Sequence, residues 1–192
     1  METAKARSQS SRLRDIGVAV LLGLVVVGVV VALNWQGDES GGVTRVQLGA
    51  GGPAPQVGKS AADFTVAGLD GTPLRLSDFN GRPVWLNFWA TWCPPCRAEV
   101  PDIVGVYEEG QTEDLVILAV SIGEDSDTVR QYVDKAGMNF PIGVDGTQSV
   151  ASLYRVAGIP THIFIDRDGI IRDIQVGGMS RSTMKQKLSK VF

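Results

Sequence analysis

Val84-Trp85-Leu86-Asn87-Phe88-Trp89 runs, after Ala90-Thr91, into Trp92-Cys93-Pro94-Pro95-Cys96. A short, nearly continuous apolar run of this kind predicts a strand covered on both faces. The two prolines that follow Cys93 suit the first turn of a helix, where a missing N–H has no intrahelical partner to lose. The stretch therefore predicts a strand that delivers a cysteine to a helix start. There the Cys93 sulfur meets orphan N–H donors and the positive end of a helix macrodipole. Both favour thiolate, the nucleophile of disulfide exchange. Cys93 and Cys96 are the chain's two cysteines, so no disulfide framework staples the fold. The pair reads as a redox dithiol.

Outward from this centre, the chain alternates strands and helices. Phe64-Thr65-Val66 and Pro73-Leu74-Arg75-Leu76 flank Asp70-Gly71, a hairpin signal. After Cys93, Val100, Ile103, Val104 and Tyr107 predict a core-facing helical stripe, with a kink expected at Pro101. Leu115–Val120 is a second buried strand, followed by a polar helix over 126–137, a short strand near 141–144 and about two helical turns to Tyr154. Asp125 and Asp127 read as a solvated helix start. Ile163-Phe164-Ile165 and Ile170 to Val176 enclose Asp166-Arg167-Asp168-Gly169, a second hairpin. A last helix over 180–191 turns Met184, Leu188 and Val191 inward. Together these elements predict one three-layer α/β domain with a mixed sheet.

Toward the N-terminus, residues 16–33 carry no charge. At roughly 1.5 Å per residue, this stretch reaches about 27 Å, close to the hydrocarbon thickness of a bilayer. Trp35 stands where an interfacial aromatic is expected. Lys5, Arg7, Arg12 and Arg14 precede the span, while only Arg45 is basic just after it. The positive-inside rule then puts residues 1–15 in the cytoplasm, a single anchor at 16–35 in the lipid bilayer, and the rest outside the cytoplasm. A signal peptide cleaved near Val30-Val31-Ala32 is the alternative, although the apolar run exceeds the usual signal core. Either reading exports the C-terminal part of the chain. Residues 36–58 hold seven glycines and two prolines and read as a flexible tether with an r.m.s. span of roughly 25 Å. The folded domain is expected over 59–192. Four of the 18 Lys+Arg and two of the 21 Asp+Glu precede residue 35, leaving 14 against 19 beyond it. No basic stripe of a nucleic-acid binder is present.

Phe88-Trp89-Ala90-Thr91-Trp92-Cys93-Pro94-Pro95-Cys96 resembles the active-site stretch of the thioredoxin superfamily. Pro101, Gly158-Ile159-Pro160-Thr161 and Val176-Gly177-Gly178 match further parts of the family pattern. Ala62-Asp63-Phe64, the stretch Leu69 to Phe79 and the N-terminal apolar span narrow the resemblance to the TlpA/ResA-like branch of membrane-anchored thiol–disulfide oxidoreductases. The resemblance implies a thioredoxin-like fold with an N-terminal β-hairpin extension behind one transmembrane helix. It also implies a Cys93–Cys96 disulfide as the redox group with no separate cofactor. The implied partners are exported client proteins with disulfides, such as apocytochrome c, and a membrane electron donor of thiol-transfer type. Pro160 is implied to be cis and to face the dithiol, with the Ile159 backbone pairing with the substrate chain. Thioredoxin carries a buried Asp six residues before the first cysteine. Asn87 stands there instead and cannot take a proton, whereas Glu99, three residues after Cys96, lies on the same helical face. Glu99 is therefore the candidate proton partner of the pair. The plainer reading is a carboxylate that stabilises the helix dipole.

Other readings stay beside these. The same dithiol chemistry serves a disulfide-forming oxidase. A thiol peroxidase shares the general fold, but peroxiredoxins place a threonine where this chain has Ala90. A closed zinc site needs four ligands, and His162 is the only histidine, so no metal site is expected. Two soft thiolates leave a Cu(I) metallation helper open. Trp85 and Trp89 read as core, and Trp92 as an exposed aromatic that holds a client peptide. His162 reads as a strand residue, packed or half-exposed, ahead of an acid–base role.

Overall fold

In the computed structural model, residues 22–26, 29, 54–110 and 114–192 are described. Residues 1–15, most of the expected 16–35 anchor and most of the 36–58 tether lie outside them. No helix among the described residues is long and apolar enough to cross a membrane. Residues 22–26 form a helical turn.

The apolar run that leads into the cysteine pair becomes β3 (Val84–Trp89), buried at all six positions. It pairs in parallel with β4 (Val116–Ile122), from Val84 opposite Val116 to Trp89 opposite Ser121. The remaining strands are β1 (Thr65–Gly68), β2 (Pro73–Arg75), β5 (Ile142–Asp145), β6 (Thr161–Ile165) and β7 (Ile171–Val176). They form one seven-stranded sheet of order β2-β1-β5-β4-β3-β6-β7. β5 is parallel to β4, whereas β1, β6 and β7 join antiparallel. The expected mixed sheet is present, and the N-terminal hairpin extends it beyond β5. Hydrogen bonds tie the chain to this fold from Gly58 onward, whose N–H donates to the Ile171 carbonyl.

Because side chains alternate along a strand, the two faces of β3 build two cores. Trp85 and Trp89 face one core with α1 (Pro94–Gly110), α2 (Ser126–Ala136) and α4 (Arg181–Leu188). Val84, Leu86 and Phe88 face the other with α3 (Ser149–Leu153) and the 3₁₀ turn Leu76–Phe79. α1 runs as one helix through Pro101. Its buried line is Val100, Ile103 and Val106, while Val104 and Tyr107 are only partly covered. The expected stripe is thus rotated toward Val106. Asp125 is the N-cap of α2 and accepts from the Thr128 N–H, and Gly137 closes that helix in the left-handed region.

α4 is fastened to the sheet by charge as well as by Met184 and Leu188. Asp173 of β7 accepts from Lys187 at 2.9 Å and from Lys190. Burial pushes the Asp173 carboxyl up, but its hydrogen bonds from Lys190 and Lys187 outweigh this and hold it below the ordinary range. A carboxyl lowered in the folded state stabilises above its unfolded value of about 4, and that stability is lost as pH falls through the folded value. Asp173→Asn should therefore cost roughly 1–2 kcal/mol at pH 7. Urea unfolding checks this: the gap between variant and parent should close toward pH 3, and a pH-independent gap would show that the ion pair is not its source.

Candidate active site

β3 ends at Trp89, and the chain turns through Ala90–Cys93, with the Cys93 N–H donating to the Ala90 carbonyl at 3.2 Å. Glu124 anchors the turn. Its carboxylate accepts from the Thr91 N–H at 2.8 Å, from the Thr91 hydroxyl and from the Ser121 hydroxyl at 2.7 Å. Glu124 lies just past the C-terminal end of β4, the edge where sites gather in parallel α/β sheets. Its distance of 33 residues from Thr91 hides this role from a reading along the chain.

Cys93 immediately precedes α1, and the Cys96 N–H donates to the Cys93 sulfur at 3.3 Å. The sulfur therefore meets a first-turn amide and the positive end of the helix, as the proline spacing predicts. Cys93 and Cys96 form a disulfide, with S–S 2.09 Å. Both residues are buried, whereas the adjoining Trp92 is 62% exposed. The Ile159–Pro160 peptide bond is cis, and the Ile159 carbonyl oxygen lies 3.8 Å from the Cys93 sulfur. The Gly177 N–H donates to the Pro160 carbonyl at 2.8 Å, tying this loop to the end of β7. The structure thus brings Cys93, Cys96, Ile159 and Pro160 together from two distant segments of the chain, with Trp92 open to solvent beside them.

Glu99 sits one turn beyond Cys96 and is only 4% exposed. Its Oε2 accepts from the Met179 N–H at 3.1 Å. Its Oε1 lies 3.3 Å from Nε2 of His162. Those two atoms are within ion-pair distance but off the hydrogen-bond axis, and neither makes another hydrogen bond. The carboxylate is turned inward, toward β6 and the Met179 backbone. Asn87 is buried directly opposite His162 on the neighbouring strand, and its Oδ1 has no hydrogen-bond partner. His162 is fully buried, as the packed-strand reading expects, yet it also faces Glu99, which that reading does not. No group of three or more His, Cys, Asp or Glu side chains among the described residues is placed to hold a metal ion.

The model of the AhpC/TSA family matches residues 57–174. The chain belongs to that family. Similar curated relatives are thiol–disulfide oxidoreductases named ResA. The protein from Geobacillus thermodenitrificans is 38% identical over 138 residues, covering 72% of this chain and 79% of the relative. The one from Bacillus anthracis is 33% identical over 136 residues, covering 71% and 79%. Among solved structures, a thiol:disulfide interchange protein of the thioredoxin family from Chlorobium tepidum superposes with TM-score 0.64 at 26% identity, covering 72% of this chain and 99% of the other. A secreted Mycobacterium tuberculosis disulfide oxidoreductase does so with TM-score 0.60 at 25% identity, covering 66% and 94%. This AhpC/TSA-family member is a thiol–disulfide oxidoreductase with a thioredoxin-like fold.

Proposed function

We propose that the protein is a membrane-tethered reductase of disulfides in exported client proteins, with apocytochrome c the foremost client. The observation that carries the chemistry is the Cys96 N–H directed at the Cys93 sulfur beside the Ile159–Pro160 loop. In the reduced enzyme the Cys93 thiolate attacks one sulfur of a client disulfide, and the client's other sulfur leaves as a thiolate. Cys96 then attacks Cys93 and releases the second client thiol, leaving the Cys93–Cys96 disulfide as the sole redox group. Glu99 takes the Cys96 proton during this second attack. Trp92 and the backbone at Ile159 and Pro160 hold the client chain. The enzyme leaves oxidised and is recharged by a membrane electron donor of thiol-transfer type.

The charge-free span at 16–35, with its basic N-terminal flank, supports a single-pass anchor with residues 1–15 in the cytoplasm and the catalytic domain outside it. On this reading the 36–58 tether lets the domain reach clients near the membrane.

Cys96→Ala in the full-length chain tests this. The variant should accumulate a mixed disulfide through Cys93, and mass spectrometry of the trapped species should identify exported proteins with cysteine pairs. Capture of none of these, under conditions where a model peptide disulfide is trapped, would overturn the reductase reading.

A further inference from the structure

We propose that His162 is a positioning residue for Glu99, presenting a fixed Nε2–H to the carboxylate that takes the Cys96 proton; this rests on the role proposed for Glu99. His162 is fully buried in β6. The Trp85 indole N–H donates to its Nδ1 at 3.2 Å, with the two ring centroids 5.7 Å apart. A ring nitrogen that accepts a hydrogen bond carries no proton, so the proton of the neutral ring sits on Nε2. A second proton on Nδ1 would set two N–H groups against each other in a fully buried site. Nε2 in turn lies 3.3 Å from Glu99 Oε1. Glu99 thus accepts a hydrogen bond at Oε2 from the Met179 backbone and has the His162 ring within ion-pair distance of Oε1. A ring held from behind in this way sets the orientation of the working group it packs against.

Of the groups on this face, His162 is the one that stands within ion-pair distance of Glu99. On β3, Trp85 and Asn87 are neutral. On β7, Gln175 lies opposite His162 and is neutral, and Asp173 is occupied by Lys187 and Lys190 of the α4 segment. On α1, Cys96 lies one turn before Glu99. In the resolving step the Cys96 S–H bond breaks and its proton moves to Glu99. The sulfur's electron pair forms the bond to Cys93, and the Cys93–client S–S bond breaks with its electrons leaving on the client thiolate. That thiolate then receives the proton from Glu99. The Nε2 proton of His162 stays on the ring throughout, and in the reverse direction every transfer is reversed.

His162 is the only histidine in the chain, so the imidazole ¹⁵N signals of untagged, full-length, histidine-labelled protein come from this ring alone. The expected result at neutral pH is the tautomer protonated on Nε2. The other tautomer, with its proton on Nδ1, overturns the proposal. The second measurement is the pH profile of single-turnover reduction of a peptide disulfide. His162→Leu removes the ring dipole beside Oε1, and the acid side of the profile should move up by about one pH unit, the size of a lost favourable charge–dipole contact in a buried site. His162→Gln, which keeps a side-chain dipole, should restore at least half of that shift. If Glu99→Gln leaves the profile unmoved, the role of Glu99 falls and this inference with it. If Glu99→Gln moves it and His162→Leu does not, only the part given to His162 falls. Should His162→Leu not fold, Trp85→Phe keeps an aromatic ring against Phe164 and should yield mixed tautomers; an unchanged ring overturns the proposal.

Discussion

Cys93→Ser is expected to lower the rate of peptide-disulfide reduction by about 10³-fold or more, to the level of the uncatalysed reaction with dithiol. A hydroxyl at this position cannot form the mixed disulfide, so no later step is reached. The geometry makes the loss asymmetric between the two cysteines. The Cys93 sulfur receives the Cys96 N–H and stands beside the Ile159 carbonyl, at the junction with the exposed Trp92. Cys96 lies inside the first turn of α1. Cys96→Ser should therefore keep the first attack and lose only resolution, giving a stoichiometric burst of mixed disulfide and no turnover. Rapid-mixing kinetics with a fluorescent disulfide peptide separates the outcomes. A burst retained in Cys93→Ser and lost in Cys96→Ser would reverse the assigned roles.

The second large effect is on stability. Asn87→Asp places a carboxylate at a buried strand position whose side-chain oxygen already lacks a hydrogen-bond partner. Across the strand pair is His162, and beyond it Glu99, so a second negative charge would enter the same enclosed region. Burial and a like charge both favour the protonated form, which raises the folded-state value of the new carboxyl above its unfolded value of about 3.9. A carboxyl raised in the folded state contributes no penalty below the unfolded value. Its penalty grows as pH rises toward the folded value and is constant above that. The expected loss is roughly 3 kcal/mol at pH 8, shrinking toward pH 4. Urea denaturation at several pH values measures it. Equal stability at pH 8, or a loss independent of pH, would show that the pocket tolerates the charge.

Much of the fold was legible because its signals are local. β3 and β4 announce themselves as continuous apolar runs, the two hairpins as Asp-Gly turns, and the cysteine pair as a helix start by its prolines. Pro160 was reachable only through resemblance, since nothing local distinguishes a cis proline. Glu124 and the partner of Glu99 were not legible, because each depends on a register that joins distant segments. Trp85 and His162 meet across 77 residues of sequence, through the antiparallel pairing of β3 with β6. His162 looked like a packed strand residue and is one. Its second property, the side it turns to Glu99, exists only once α1 is laid across that face of the sheet.

The N-terminal hairpin has a consequence for an enzyme whose substrates are polypeptides with disulfides. Without β1, strand β5 would present a free row of backbone donors and acceptors, a template for strand addition by any unfolded chain nearby. β1 covers that row, and the sheet instead ends at β2, only three residues long, opening with Pro73 and closing with Arg75. Short length, proline and charge are each features that discourage edge-to-edge association. The hairpin thus replaces a long edge at β5 with a short one, and so removes one template on which an unfolded chain could add a strand.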